Sequence, residues 1–163
     1  MSLHSKFRFW ALLPAVLLLL VTGIIFFVTV KVWNRPSSPS LGVFFFFTLL
    51  IFTWIWLVFG ELRTKIIKVK IHDDKIIVSN YFGLGAGRTF SMSQFDGLET
   101  ALLPSRYNTY ENLYLIENGK KAIKLSQFYH KNYADLKITL TEKIKDLGQK
   151  DFTAFQEVKE IFI

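Results

Sequence analysis

The stretch "YFGLGAGRTF", Tyr81 to Phe90, decides between two folds. Gly83, Gly85 and Gly87 alternate within an aromatic-rich run. A glycine-rich loop that follows a strand and opens a helix can cradle phosphate on the amides of the helix N-terminus. The same glycines between two strands only let the chain turn, by allowing positive φ or a close approach. The glycines lead into "RTFSMSQF", in which Phe90 and Met92 alternate with Thr89, Ser91 and Ser93. That period of two predicts a strand. The loop is therefore read as a bend in an antiparallel sheet, and no nucleotide site is expected there.

The flanking sequence agrees. Upstream, "KIIKVKIH" places Ile67, Val69 and Ile71 on one face and Lys68 and Lys70 on the other. With Asp73-Asp74 as a two-residue turn, Ile71 falls opposite Ile76 and Val69 opposite Val78. Downstream, "LETALLP" (Leu98 to Pro104) reads as a strand and "SRYNTYEN" (Ser105 to Asn112) as a polar loop. "ENLYLIENGKKAIKLSQF" reads as a hairpin around Asn118-Gly119, a type I′ signal. Asn132 can cap a helix whose stripe is Leu136, Leu140, Ile144 and Leu147, with Gly148 as its stop. Strands followed by one amphipathic helix make an α+β unit.

The first 60 residues obey other rules. Phe9 to Val30 and Leu41 to Gly60 carry no charge. Either run, as a helix, crosses a bilayer core of about 30 Å. A cleaved signal peptide is disfavoured, because the first run is too long for a signal core. No small-x-small site comes after it either. A helix apolar on every side, as in "FFFFTLLIFTWIWLVF", calls for lipid around it. "KVWNRPSSPS" (Lys31 to Ser40), with Pro36 and Pro39, joins the two spans as a polar turn. The result is a membrane α-helical hairpin over about 9–30 and 41–60.

Charge sets its expected orientation. Lys31 and Arg35 lie in the short loop; Lys6, Arg8, Arg63, Lys65, Lys68 and Lys70 flank the other ends. The richer side stays cytoplasmic, which places both termini there. Trp10 and Trp33 sit where interfacial anchors belong. Neither span holds an ionisable residue, so a stand-alone transporter is not expected. Residues 1–60 carry four basic groups and no acid, leaving 16 basic and 13 acidic groups and a balance of +3 for the rest. That mild excess suits an anionic leaflet better than nucleic acid, which favours a dense basic patch. The absence of cysteine excludes disulfides and thiol chemistry.

Two spans, then six to seven antiparallel strands closed by a C-terminal helix, resembles the bacterial pleckstrin-homology (PH-like) membrane proteins. The resemblance is carried by "KVKIHDDKIIVSNYFG", "RTFSMSQFDGLE", "LYLIENGKKAIKLSQF" and "NYADLKITLTEKI". It implies a bent β-sandwich, nearly a barrel, plugged by the helix, and a binding or scaffolding module in the bacterial inner membrane. The expected division is 1–61 for the membrane segment, 62–148 for the cytoplasmic PH-like domain and 149–163 for a short amphipathic tail. Phosphoinositide-binding relatives hold headgroups with basic residues around the first strand pair, where Lys65, Lys68, Lys70 and Lys75 fall. The loop His72-Asp73-Asp74 is short and acidic, so specific phosphoinositide binding is not expected.

No catalytic, cofactor or metal set stands out. His4, His72 and His130 lack ligand spacing, and no nucleophile elbow, Walker loop or zinc-protease helix is present. Glu99 and Glu111 are an acid pair only if the fold brings them together. The tail repeats Phe152, Phe155, Val158 and Phe162 at three or four residues, a candidate partner-contact surface. The expected function is a non-enzymatic scaffold, oligomerisation or protein-binding module, with a protein partner or a second copy. The alternatives are a peripheral sensor of anionic lipid and an accessory subunit of a membrane enzyme or transporter.

Overall fold

The structure is a computed structural model that describes residues 2–34, 38–105 and 108–150. The tail with Phe152, Phe155, Val158 and Phe162 lies outside the described residues, as do Arg35 and Pro36 of the connecting turn.

Two helical stretches, Phe9–Trp33 and Leu41–Leu62, are long and apolar enough to cross a membrane. Only 11% and 6% of their most apolar windows are buried, so neither serves as a core helix for the rest of the chain. The first opens with a 3-10 turn (Phe9–Leu12) and continues as α1 (Leu13–Trp33), with Pro14 in its first turn, where a missing N–H costs nothing. The second is α2 (Leu41–Ile55), which widens into a π-helical stretch at Trp56–Leu62. Trp54 Nε1 donates to Thr22 Oγ1 at 3.0 Å and ties the helices together.

The other described residues fold as two four-stranded sheets and one α-helix. The first sheet holds β1 (Ser2–His4), β2 (Lys68–His72), β3 (Lys75–Ser79) and β4 (Gly87–Ser91), in chain order and antiparallel. Its central hairpin has the expected register, Val69↔Val78 and Ile71↔Ile76. The second holds β5 (Gly97–Pro104), β6 (Thr109–Glu117), β7 (Lys120–Ser126) and, after α3 (Tyr133–Thr141), β8 (Asp146–Lys150). Its order is β7-β6-β5-β8. Asn118 and Gly119 turn the β6–β7 hairpin with φ of 52° and 70°, as a type I′ turn requires. The inward rows Val69, Ile71, Ile76 and Val78 of one sheet meet Leu98, Leu113, Leu115 and Leu125 of the other. Leu136, Leu140 and Ile144 close the core.

Four expectations need correction. Among the described residues the strands number eight, not six to seven, and one pair is parallel, β5 with β8. The strand expected from "RTFSMSQF" stops at Ser91, because Met92–Gln94 turn through a capped 3-10 step. The helix stops at Thr141, short of Gly148; the chain then re-enters as β8, and Leu147 leaves the helical stripe. Lastly, Ser2–His4 belongs to the β domain, so a boundary at residue 62 omits one of its strands.

The re-entry depends on Gly97. A Cβ there would lie 2.8 Å from the Lys145 carbonyl oxygen and 2.7 Å from Leu147 Cδ1. The Leu98 N–H donates to that same carbonyl at 2.8 Å. Leu147 can rotate away, but the carbonyl cannot. Gly97→Ala should therefore cost about 1–3 kcal/mol, the usual range for overpacking. Amide exchange at Leu98 should quicken accordingly; protection equal to the parent chain would show that β8 tolerates the methyl group.

Candidate joint and basic strand face

The register separates the four lysines singled out in the sequence. Residues directly opposite in an antiparallel pair share a face. Lys70 pairs with His4 and Ile77, Lys68 with Ser79, and His72 with Ser2 and Lys75. Lys68, Lys70 and Lys75 thus stand on the outer face of the first sheet, together with His4 and His72. The Asp73 carboxylate lies 3.1 Å from His72 Nε2, and Asp74 faces Lys143 at 3.2 Å. Lys65 is elsewhere. It precedes β2 and binds Glu61 at 2.6 Å, one helical turn back, in a half-buried pair.

That pair belongs to a joint between helices and sheets. Glu61 sits in the π-helical end of α2, where the wider turn re-aims side chains. Its second oxygen accepts the Tyr129 hydroxyl at 2.8 Å. Around it Ala11, Leu62, Ile66 and Tyr129 form a second apolar cluster, joined by Phe7, Ala15, Leu18, Tyr81, Phe82 and Phe128. The N-terminal segment completes the joint. Ser5 exchanges hydrogen bonds with Val69, its N–H to the carbonyl (2.8 Å) and its Oγ from the Val69 N–H (2.9 Å). The Arg8 N–H reaches the Tyr129 carbonyl (2.9 Å), and the Lys131 N–H donates to the Lys6 carbonyl (2.7 Å). Asn132 does not cap α3 with its side chain. Its Oδ1 accepts the Lys6 N–H at 2.7 Å and its Nδ2 donates to the His4 carbonyl at 2.9 Å.

His130 lies at the centre of the joint and is 0% exposed. Its Nε2 faces the Ile67 carbonyl and its Nδ1 the Ser126 carbonyl, both at 2.9 Å, with the Phe7 ring centroid 5.5 Å away. A neutral imidazole donates from one nitrogen only, so one carbonyl faces a lone pair. Burial holds the His130 pKa below its ordinary value, while the two carbonyls pull it up.

The acid pair does not form. Glu99 pairs with Lys150 on the face of the second sheet turned from α3; Glu111 meets Lys137 and Tyr133 (3.1 Å) on the face beneath it. Burial, and then the Glu111 carboxylate, push the Tyr133 phenol far above its ordinary pKa. Among the described residues no three metal-ligating side chains converge. The glycine loop holds a single 3-10 turn, Tyr81–Gly83, and leads into β4, so no helix N-terminus faces it.

Sequence reasoning passes over the joint, because its members are scattered along the chain. Nor does it see that β6 is buried on both faces, with Ala101, Tyr114 and Ile116 in a cluster opposite the main core and Lys121 Nζ 4.0 Å from the Tyr114 ring centroid. The uninterrupted "LYLI" is the signal, since a strand with one wet face alternates. Comparison with protein-family models, with curated proteins and with solved structures gave no match for the chain.

Proposed function

We propose that this chain is a two-span protein of the bacterial inner membrane, with both termini cytoplasmic. Its PH-like β domain acts as a non-enzymatic scaffold that binds further copies of the chain. The joint is the observation that supports this most. Both helices enter the β domain within a few residues, and hydrogen bonds and aromatic packing fix each entry. A domain on a loose tether samples every orientation and must give that freedom up on binding. One held at a set angle has already lost it, which favours association between partners lying in the same membrane.

The test is the mass of the purified full chain in lipid nanodiscs or mild detergent, measured by light scattering over a range of concentration. Association that rises with protein concentration and ignores lipid charge is expected. A chain that stays monomeric throughout would refute the self-associating scaffold. A larger membrane protein held in fixed ratio would recast the chain as its accessory subunit.

A second reading, a sensor of anionic lipid, is favoured by the outer face that carries His4, Lys68, Lys70, His72 and Lys75. Lys68→Glu combined with Lys70→Glu tests it. Loss of retention on phosphatidylglycerol surfaces supports lipid sensing, and unchanged retention leaves the scaffold.

A further inference from the structure

Residues 81–86 form a loop whose conformation and position the scaffold reading does not use. Tyr81, Phe82 and Gly83 have φ of 52°, 60° and 94°, three successive left-handed residues of which two are bulky. Such a run is strained and persists only where its surroundings enforce it. Here the Gly83 and Gly85 N–H groups both donate to the Asn80 carbonyl and the Leu84 N–H to the Tyr81 carbonyl, each at 3.0 Å. A Cβ on Gly83 would lie 2.6 Å from Lys68 Cδ, so the lysine stem runs across the glycine. The loop is stiff, and it holds Leu84 at its tip, 89% exposed.

The loop is placed by its contacts. The Phe82 N–H donates to the Ile66 carbonyl at 3.0 Å, four residues beyond the end of the second long helix at Leu62. The Phe82 ring meets Phe7 edge-on at 5.2 Å, two residues before the first long helix begins at Phe9. The loop therefore lies at the level where both helices meet the β domain. From Lys75 to Phe95 the chain holds no acid, and Arg88 lies exposed just beyond the loop.

We propose that Leu84 inserts into the headgroup layer of the leaflet that bears the β domain, with Lys68 and Arg88 against lipid phosphates. The proposal rests on the reading that Phe9–Trp33 and Leu41–Leu62 cross the bilayer. An exposed aliphatic side chain at the interface gains by leaving water, and cations beside it gain from an anionic surface. The Lys68 stem, laid along Gly83, can carry its ammonium toward the phosphates.

The chain contains no cysteine, so single substitutions can carry a nitroxide. Leu84→Cys, Leu20→Cys in the first span and Lys120→Cys at the distal β6–β7 turn would be labelled in the full chain, in phosphatidylglycerol nanodiscs. Collision with oxygen, which enters lipid, is then compared with collision with a water-bound nickel chelate. The oxygen-to-nickel ratio at residue 84 should exceed that at residue 120 several-fold and stay below that at residue 20. Lys68→Gln with Arg88→Gln should lower it. A ratio at 84 equal to that at 120, with 20 still deep, would overturn the proposal and leave the spans standing. A label at 84 shielded from both reagents would mean that protein covers it, and would overturn it too. If nickel reaches residue 20, the span reading fails and the proposal falls with it.

Discussion

A chain lacking residues 2–8 is expected to lose most of the stability of its β domain. The deletion removes β1 and with it six further hydrogen bonds. Two join Ser5 and Val69, one links Arg8 to Tyr129, one links Lys131 to Lys6, and two come from the Asn132 side chain. At about 1 kcal/mol each these amount to about 6 kcal/mol. A whole domain is stable by about 5–15 kcal/mol. Leu3 and Phe7 also leave the apolar clusters they pack against. Hydrogen exchange checks the result at Val69, whose amide loses the Ser5 hydroxyl and should exchange far faster. A domain cut at residue 62 should show the same defect, and grafting residues 2–8 back through a linker should repair it. Full protection in the cut domain would show that the N-terminal strand is ornamental.

His130→Ala should cost about 3–5 kcal/mol. It removes the single N–H that the neutral ring donates to one of the two carbonyls, at about 1–3 kcal/mol, and leaves a cavity beside Phe7. His130 also makes stability depend on pH. Its pKa in the folded chain lies below the ordinary 6.5, so the unfolded chain takes up the proton first as pH falls. Stability is then complete above about pH 6.5. It declines as pH falls from there to the folded pKa, and levels off below it. The direction expresses which cause prevails, burial over the two carbonyls. Urea midpoints measured from pH 8 to pH 5 should fall in the parent chain. In His130→Gln, which keeps a donor and cannot titrate, that part of the slope should vanish. A His130→Gln chain with an unchanged slope would assign the acid sensitivity to other groups.

The sequence shows clearly what periodicity and turn chemistry govern. Val69, Ile71, Ile76 and Val78 alternate cleanly, so the first hairpin and its register can be written down from the residues. Asn118-Gly119 does the same for the second. The apolar runs mark both long helices within a few residues. What stays hidden depends on contacts distant along the chain. Ser2–His4 is three residues, too short for an alternation to register, and its partner lies some 70 positions away. The end of α3 is misplaced because Leu147 continues the helical spacing, while the pairing with β5 claims Asp146–Lys150 as a strand. Asn132 has the chemistry of a cap, yet two partners from the N-terminal segment occupy its amide. Among the candidate lysines, local sequence does not tell Lys65, engaged by Glu61, from Lys70, which is open to solvent.

The β1–β2 ladder has a mechanical consequence. Four residues separate His4 from Phe9, and five separate Leu62 from Lys68, so each strand is in effect the extension of one long helix. Sliding one helix along the other would shear this ladder. A strand can step only by two residues without turning its side chains to the wrong face, a jump of about 7 Å. Smaller displacements find no alternative register and are resisted. The ladder thus behaves as a detent: in the two-span arrangement proposed above, changes in bilayer thickness should tilt the two helices together as one body rather than let them slip past each other.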